Sequence, residues 1–276
     1  MIAFHPSAPS FLRIVRTQVM VNFFLHSRTL KLLSFVLVFG GWEYAGRIPV
    51  SPAFPTFLQT MDAFWQLLVD GSFLKTYPET LKPLVIGLFI SGFLGVSCGV
   101  WMGLNHKAEW FGSPIFIVMQ SAPLAALIPL LVMAYGIGLT SKVLVVCIMA
   151  MPVIVLNAYN AVKHTPHVLK EMGHSFQASK RDIILKIILP SASPVIFVGL
   201  RLGASAGFIG AILSELLITP TGIGDLITYN QSIAEYPKMY AAIFSIIVLA
   251  VAFLEILERV EHTLFRPESR PVQGVS

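Results

Sequence analysis

Side chains able to carry acid–base, nucleophilic or metal chemistry are few in this sequence and poorly placed for it. All seven histidines, His5, His26, His106, His164, His167, His174 and His262, lie outside the long apolar runs. His164, His167 and His174 come nearest to a metal cluster, but no cysteine or carboxylate pattern closes it. The two cysteines, Cys98 and Cys147, sit within apolar runs, where a thiol behaves as a small hydrophobe. There is no G-x-S-x-G, no H-E-x-x-H and no phosphate-cradling P-loop. This pattern argues against an enzyme, and any ATP used by the protein must be bound by another chain. Two features with electrostatic character remain. Arg201 and Glu215 share one apolar run, and the passage EMGHSFQASKRDIILKIILP, Glu171 to Pro190, carries charge that its surroundings lack.

Composition explains why such groups stand out. Of 276 residues, 55% are hydrophobic and only 12% charged, with a mean hydropathy of +0.77. Soluble domains average about 25% charged residues, so lipid must cover much of this surface. The net charge of +5 comes from basic residues that flank apolar runs rather than forming a stripe interleaved with aromatics. That is a topology signal and not a nucleic-acid footprint.

A hydrocarbon core about 30 Å thick needs roughly 20 apolar residues in a helix. The charge-free runs predict an all-α membrane protein with six spans, at about 32–48 (interrupted by Glu43), 83–104, 115–135, 143–161, 194–218 and 239–257. With the N-terminus inside, the inner segments hold Arg13, Arg16, Arg28, Lys31, Lys107, Lys163, Lys170, Lys180, Arg181, Lys186, Arg259, Arg266 and Arg270. The outer ones hold only Arg47, Lys75, Lys82, Lys142 and Lys238, so both termini are expected on the cytoplasmic side. No small-residue cleavage site follows the first apolar run, which reads as a retained helix behind a basic segment, 1–31. A tail, 265–276, follows the membrane domain at 32–264. In the outer segment 49–80, Phe54, Phe57, Leu58, Met61, Phe64, Trp65 and Leu68 recur near a 3.6-residue period, as in an amphipathic helix on a membrane surface.

Within the spans, Gly95, Gly99 and Gly103 recur at intervals of four, as do Gly199, Gly203 and Gly207. Each set lies on one helix face where a neighbouring backbone can approach, around a translocation path or dimer axis or in ordinary helix packing. Glu215, beside Ser214, is costly at depth and reads either as a polar anchor or as part of a path or gate. It lies about 21 Å along the helix from Arg201, too far for the two to pair within that helix. Pro123 and Pro129 in the third run and Pro152 in the fourth can kink helices, to line a cavity or simply to fit the bundle.

The polar passage reads as helix, bend, helix. Thr165-Pro166 offers a hydroxyl cap and a first-turn proline, and Val168, Leu169, Met172 and Phe176 form an apolar ridge opposite Lys170, Glu171 and His174. Gln177-Ala178-Ser179 interrupts the pattern before Ile183, Ile184, Ile187 and Ile188 begin a second helix toward the fifth span. Such a ridge suits a partner's groove or a lipid surface.

A loop of this kind, opening with Glu171 and closing nineteen residues later in Leu189-Pro190 ahead of the penultimate span, resembles the EAA loop of permease subunits of type I ABC importers. Ala178-Ser179 match the family's "AS", whereas Met172-Gly173 replace two alanines and Gln177 stands at the usual glycine. The stretches APLAALIPLLVMAYGIGLTSK and GLRLGASAGFIGAILSELLITPTGIGDLI are similar to the nitrate/sulfonate/taurine class, and the likeness covers about 49–264. It implies a cytoplasmic coupling helix that docks in an ATPase, with Glu171, Met172, Gly173, Phe176, Gln177, Ala178, Ser179, Leu189 and Pro190 as the coupling residues. It also implies an inner-membrane importer of two permeases, two ATPase chains holding ATP and magnesium, and an external solute-binding protein. The cargo expected for the class is a small anion (sulfonate, taurine or nitrate) or an aromatic vitamin precursor. A stand-alone ion-coupled secondary transporter is the competing reading.

Overall fold

The computed structural model describes residues 27–48, 51, 53–218 and 221–265. Arg13, Arg16, Arg266 and Arg270, with most of the basic N-terminal segment and the tail, lie outside the described residues. Two compact units divide the chain at Ala63 and Phe64.

In the first unit, α1 (Ser27–Arg47) turns back on the start of α2 (Phe57–Val69). The ring of Phe57 lies 4.8 Å from Phe39 and 5.6 Å from Trp42. Trp42 Nε1 donates to the Pro55 carbonyl, and Gly46 admits the backbone of Thr56, where a Cβ would stand 2.7 Å from the Thr56 Cα. Glu43, which interrupts the first apolar run, has a local task here. One oxygen accepts from the Leu58 amide in the first turn of α2 and the other pairs with Arg47. Such first-turn donors have no partner within their own helix.

The second unit holds α3 (Ser72–Leu104), α4 (His106–Ser121), a short 3₁₀ turn (Leu124–Leu127), α5 (Ile128–Tyr135), α6 (Leu139–Lys163), α7 (His167–Ser175), α8 (Lys180–Leu217), α9 (Gly222–Ser232) and α10 (Tyr236–Phe265). Four of these, α3, α6, α8 and α10, are long and apolar enough to cross a membrane, and α4 with the 3₁₀ turn and α5 makes a fifth span if counted as one bent element. The expected first span, α1, falls outside this set because Lys31, Glu43 and Arg47 break its apolar run.

The middle of the unit is α6, gripped on two sides. Along α3, the glycine face lies against it: a Cβ at Gly95 would meet Ile154, one at Gly99 would stand 2.5 Å from the Val155 carbonyl oxygen, and one at Gly103 would meet Val162. Along α8, Gly199 faces Asn157 and Gly203 faces Ile154, while Gly207 faces Leu88 and Val146. Both stripes therefore close on the same central helix, and Ile154 is clasped from both sides. Close backbone approach of this kind is the main source of packing between helices in lipid, where burial alone drives little.

Candidate functional site

The third apolar run is broken in two. Pro123 has no amide hydrogen, so the helix stops at Ser121, and α4 and α5 meet at 90°. Pro129 kinks nothing: it occupies the first turn of α5, where its ring fits and its missing donor is not needed. The break borders a cavity of about 300 Å³ lined by Gln120, Pro123, Met149, Pro152, Val153 and Ala206, among others. Two of the three prolines singled out above thus share one cavity, with Gln120 as its amide. Non-helical backbone at membrane depth is tolerated where it lines a cavity.

Glu215 and Ser214 lie elsewhere, at the far end of α8. Ser214 is fully buried and donates to the Ala211 carbonyl. Glu215 is enclosed: one oxygen accepts from Thr80 on α3 and from the Gly224 amide at the start of α9, both at 3.0 Å, and the other stands 3.4 Å from Lys142 Nζ on α6. Lys142 also donates to Thr221 at 2.8 Å, and Thr80 Oγ1 accepts from the Ile223 amide. Gly222, at φ +78, and Gly224 lie directly against the Glu215 side chain, leaving no room for a Cβ at either position. One carboxylate thus ties α3, α6, α8 and α9 together. Lys142, counted above as a loop charge, is 4% exposed. Arg201, near the middle of α8, pairs with Glu258 at 3.0 Å and Glu261 at 3.7 Å on α10.

The polar passage has the anticipated helix and bend. Thr165 does not cap α7; its hydroxyl donates back to the Val162 carbonyl and closes α6. The apolar side chains of Val168, Met172 and Phe176 point outward, 73%, 47% and 80% exposed. Glu171, also exposed, pairs with His167. Gly173 is buried against Ile183 and Ile187, so α7 rests on the start of α8 by the one residue with no side chain.

The bend is a Schellman motif: the Ala178 amide donates to the Gly173 carbonyl and the Gln177 amide to His174. Its left-handed position is Gln177, at φ +55, the position at which the EAA-loop resemblance implies a glycine. Ser179 then caps α8, accepting from the Asp182 amide and donating to its carboxylate. At about 57 Å, α8 is far longer than a bilayer core, which leaves its first turns outside. There Lys186, with Ser179, holds the Asp182 carboxyl below its usual range. Leu189 and Pro190 do not end the helix. A π-turn at Ile183–Ile188 opens the coil, with the Leu189 amide reaching the Ile184 carbonyl, and Pro190 follows within a continuous helix. Gln177→Gly is expected to relieve the left-handed strain and raise stability by about 0.5–1 kcal/mol, seen as a higher melting temperature in detergent.

Residues 91–266 match the family described as binding-protein-dependent transport system inner membrane component, and the chain belongs to it. It is an inner-membrane permease of the type I ABC importer kind. The taurine transport system permease protein TauC of Escherichia coli is 28% identical over 86% of this chain and 92% of its own length. The formylaminopyrimidine transport permease protein ThiX of Halalkalibacterium halodurans is 27% identical over 84% and 93%. The putative aliphatic sulfonates transport permease protein SsuC of Bacillus subtilis is 25% identical over 79% and 81%. Among solved structures, the fold is shared with the MetNI methionine ABC transporter in an inward-facing form (TM-score 0.55, 21% identity, 66% of this chain and 93% of that one).

Proposed function

We propose that two copies of this chain form the path of an ATP-driven importer, with both termini cytoplasmic, two separate ATPase chains bound at α7 and an external protein delivering the solute. The outward apolar ridge of α7 carries this reading. Val168, Met172 and Phe176 recur every four residues on a helix flanked by charge, the pattern of a helix seated in a partner's groove. Lys180 and Arg181 suit a lipid surface too, but the buried Gly173 contact directs the ridge away from the bundle. Solute passes at the break between α4 and α5, where Gln120 and the freed backbone supply hydrogen bonds. Glu215 and Ser214 hold the bundle together at its outer end and do not line the path. The relatives' names span sulfonates, taurine and a formylaminopyrimidine, so the cargo is a small anion or an aromatic vitamin precursor.

An ion-coupled carrier finds less support. Among the described residues, no ionisable side chain lines the cavity at the break, and both Glu215 and Arg201 already have partners of opposite charge. The test is uptake into proteoliposomes holding this chain with its ATPase and binding protein. Uptake that requires ATP and survives a protonophore supports the importer; uptake driven by an ion gradient without ATP overturns it.

A further inference from the structure

At the α7 end of α6, a second polar cluster joins elements that sequence reading left unconnected. Tyr159 Oη donates to Glu109 Oε1 at 2.7 Å, and Lys163 Nζ reaches the same oxygen at 2.5 Å and the Tyr159 hydroxyl at 2.7 Å. The Lys163 ammonium stands 5.2 Å over the Tyr159 ring, and His106 Nδ1 lies 3.3 Å from the other Glu109 oxygen. Tyr159 is 7% exposed, packed with Met102, Ala108 and Val155. Glu109 belongs to α4, the first half of the broken span; Tyr159 and Lys163 form the last turn of α6.

Where these three residues sit gives the cluster its meaning. Lys163 ends α6, and α7 begins at His167 after the closed turn at Thr165. The turn of α6 that holds Glu109 is therefore also the root of the proposed docking helix. Elsewhere on α4 the close contacts are apolar, and Phe116 packs on the same cluster as Met102 and Tyr159. Ala108 is buried, and Gly112 lies against Met102, where a Cβ would stand 2.9 Å from its sulfur. Small surfaces let helices approach without setting their register, whereas a hydrogen-bonded carboxylate sets it. From Glu109, α4 runs to the 90° break and the cavity.

We propose that Glu109, Tyr159 and Lys163 are positioning residues that make the first half of the broken span move with the docking helix. The link rests on the reading of α7 as the ATPase site. A displacement of α7 reaches α6 directly along the chain, and also through Gly173 on Ile183 and Ile187, which pack with Ala158 and Val162 of α6. The shared carboxylate passes it to α4, and α4 carries it to the wall of the cavity.

The test uses the full complex in proteoliposomes and reads solute imported per ATP hydrolysed for Glu109→Gln, Lys163→Met and the exchange Glu109→Lys/Lys163→Glu. Each single change is expected to lower that ratio about tenfold while the ATPase still co-purifies and hydrolyses ATP, and the exchange to recover at least half of it. Unchanged import per ATP in both single variants on an intact complex overturns the link and leaves the docking reading standing. So does a loss that the exchange fails to recover, which marks a purely structural role. Failure of the wild-type chain to retain the ATPase overturns the docking reading, and the link with it.

Discussion

Replacing Glu215 with leucine is expected to cost about 3–5 kcal/mol and leave little folded protein in the membrane, because breaking a buried pair strands the remaining charge. Lys142 would keep only Thr221 at hydrogen-bond distance, the Gly224 amide would lose its acceptor, and the Thr80 hydroxyl would be left with the Thr76 carbonyl at 3.4 Å. An unpaired buried donor costs about 1–3 kcal/mol by itself. Glu215→Gln keeps an oxygen for Thr80 or Gly224 and should lose less. The double variant Lys142→Met/Glu215→Leu removes both charges, and its melting temperature should lie above that of Glu215→Leu alone. Thermal unfolding in detergent, with yield from membranes, measures all three. A single variant as stable as wild type would show that the pair does not hold α9 to the bundle.

The second large effect is functional. Phe176→Ala with Met172→Ala is expected to weaken ATPase binding by 2 kcal/mol or more, at least about thirtyfold, since buried aromatic anchors dominate such interfaces. Both side chains are exposed in the isolated chain, so folding and melting should not change. That contrast separates this pair from Glu215: one change removes a partner, the other unfolds the protein. Pull-down of the ATPase across a concentration series, beside a melting curve, gives both numbers.

The apolar runs marked where the membrane helices lie because charge is expensive in lipid and its absence is easy to see. Contacts made across the bundle were harder to read. Lys142 looked like an outer-loop charge, as lysines at helix ends usually are, and nothing within its own run points to a carboxylate 73 positions later. Glu109 and Lys163, 54 positions apart, went unread for the same reason. Pro123 announced an interruption, but its 90° angle depends on what α4 and α5 pack against. The glycine stripes signalled close approach without naming the partner, and α6 itself carries no such stripe. Gln177 is the converse case: the missing glycine was visible, and the left-handed backbone at that residue shows what glycine would do there.

The most direct test of the central claim, that α7 is where an ATPase engages this permease, is a disulfide cross-link. Phe176→Cys, on a chain with Cys98 and Cys147 replaced by serine, would be oxidised in membranes containing the ATPase with single cysteines along its transmembrane-facing cleft. A cross-link that forms from Phe176→Cys, and whose yield changes when ATP is added, is the predicted result. A complex that imports solute while Phe176→Cys cross-links to no cleft position would contradict it.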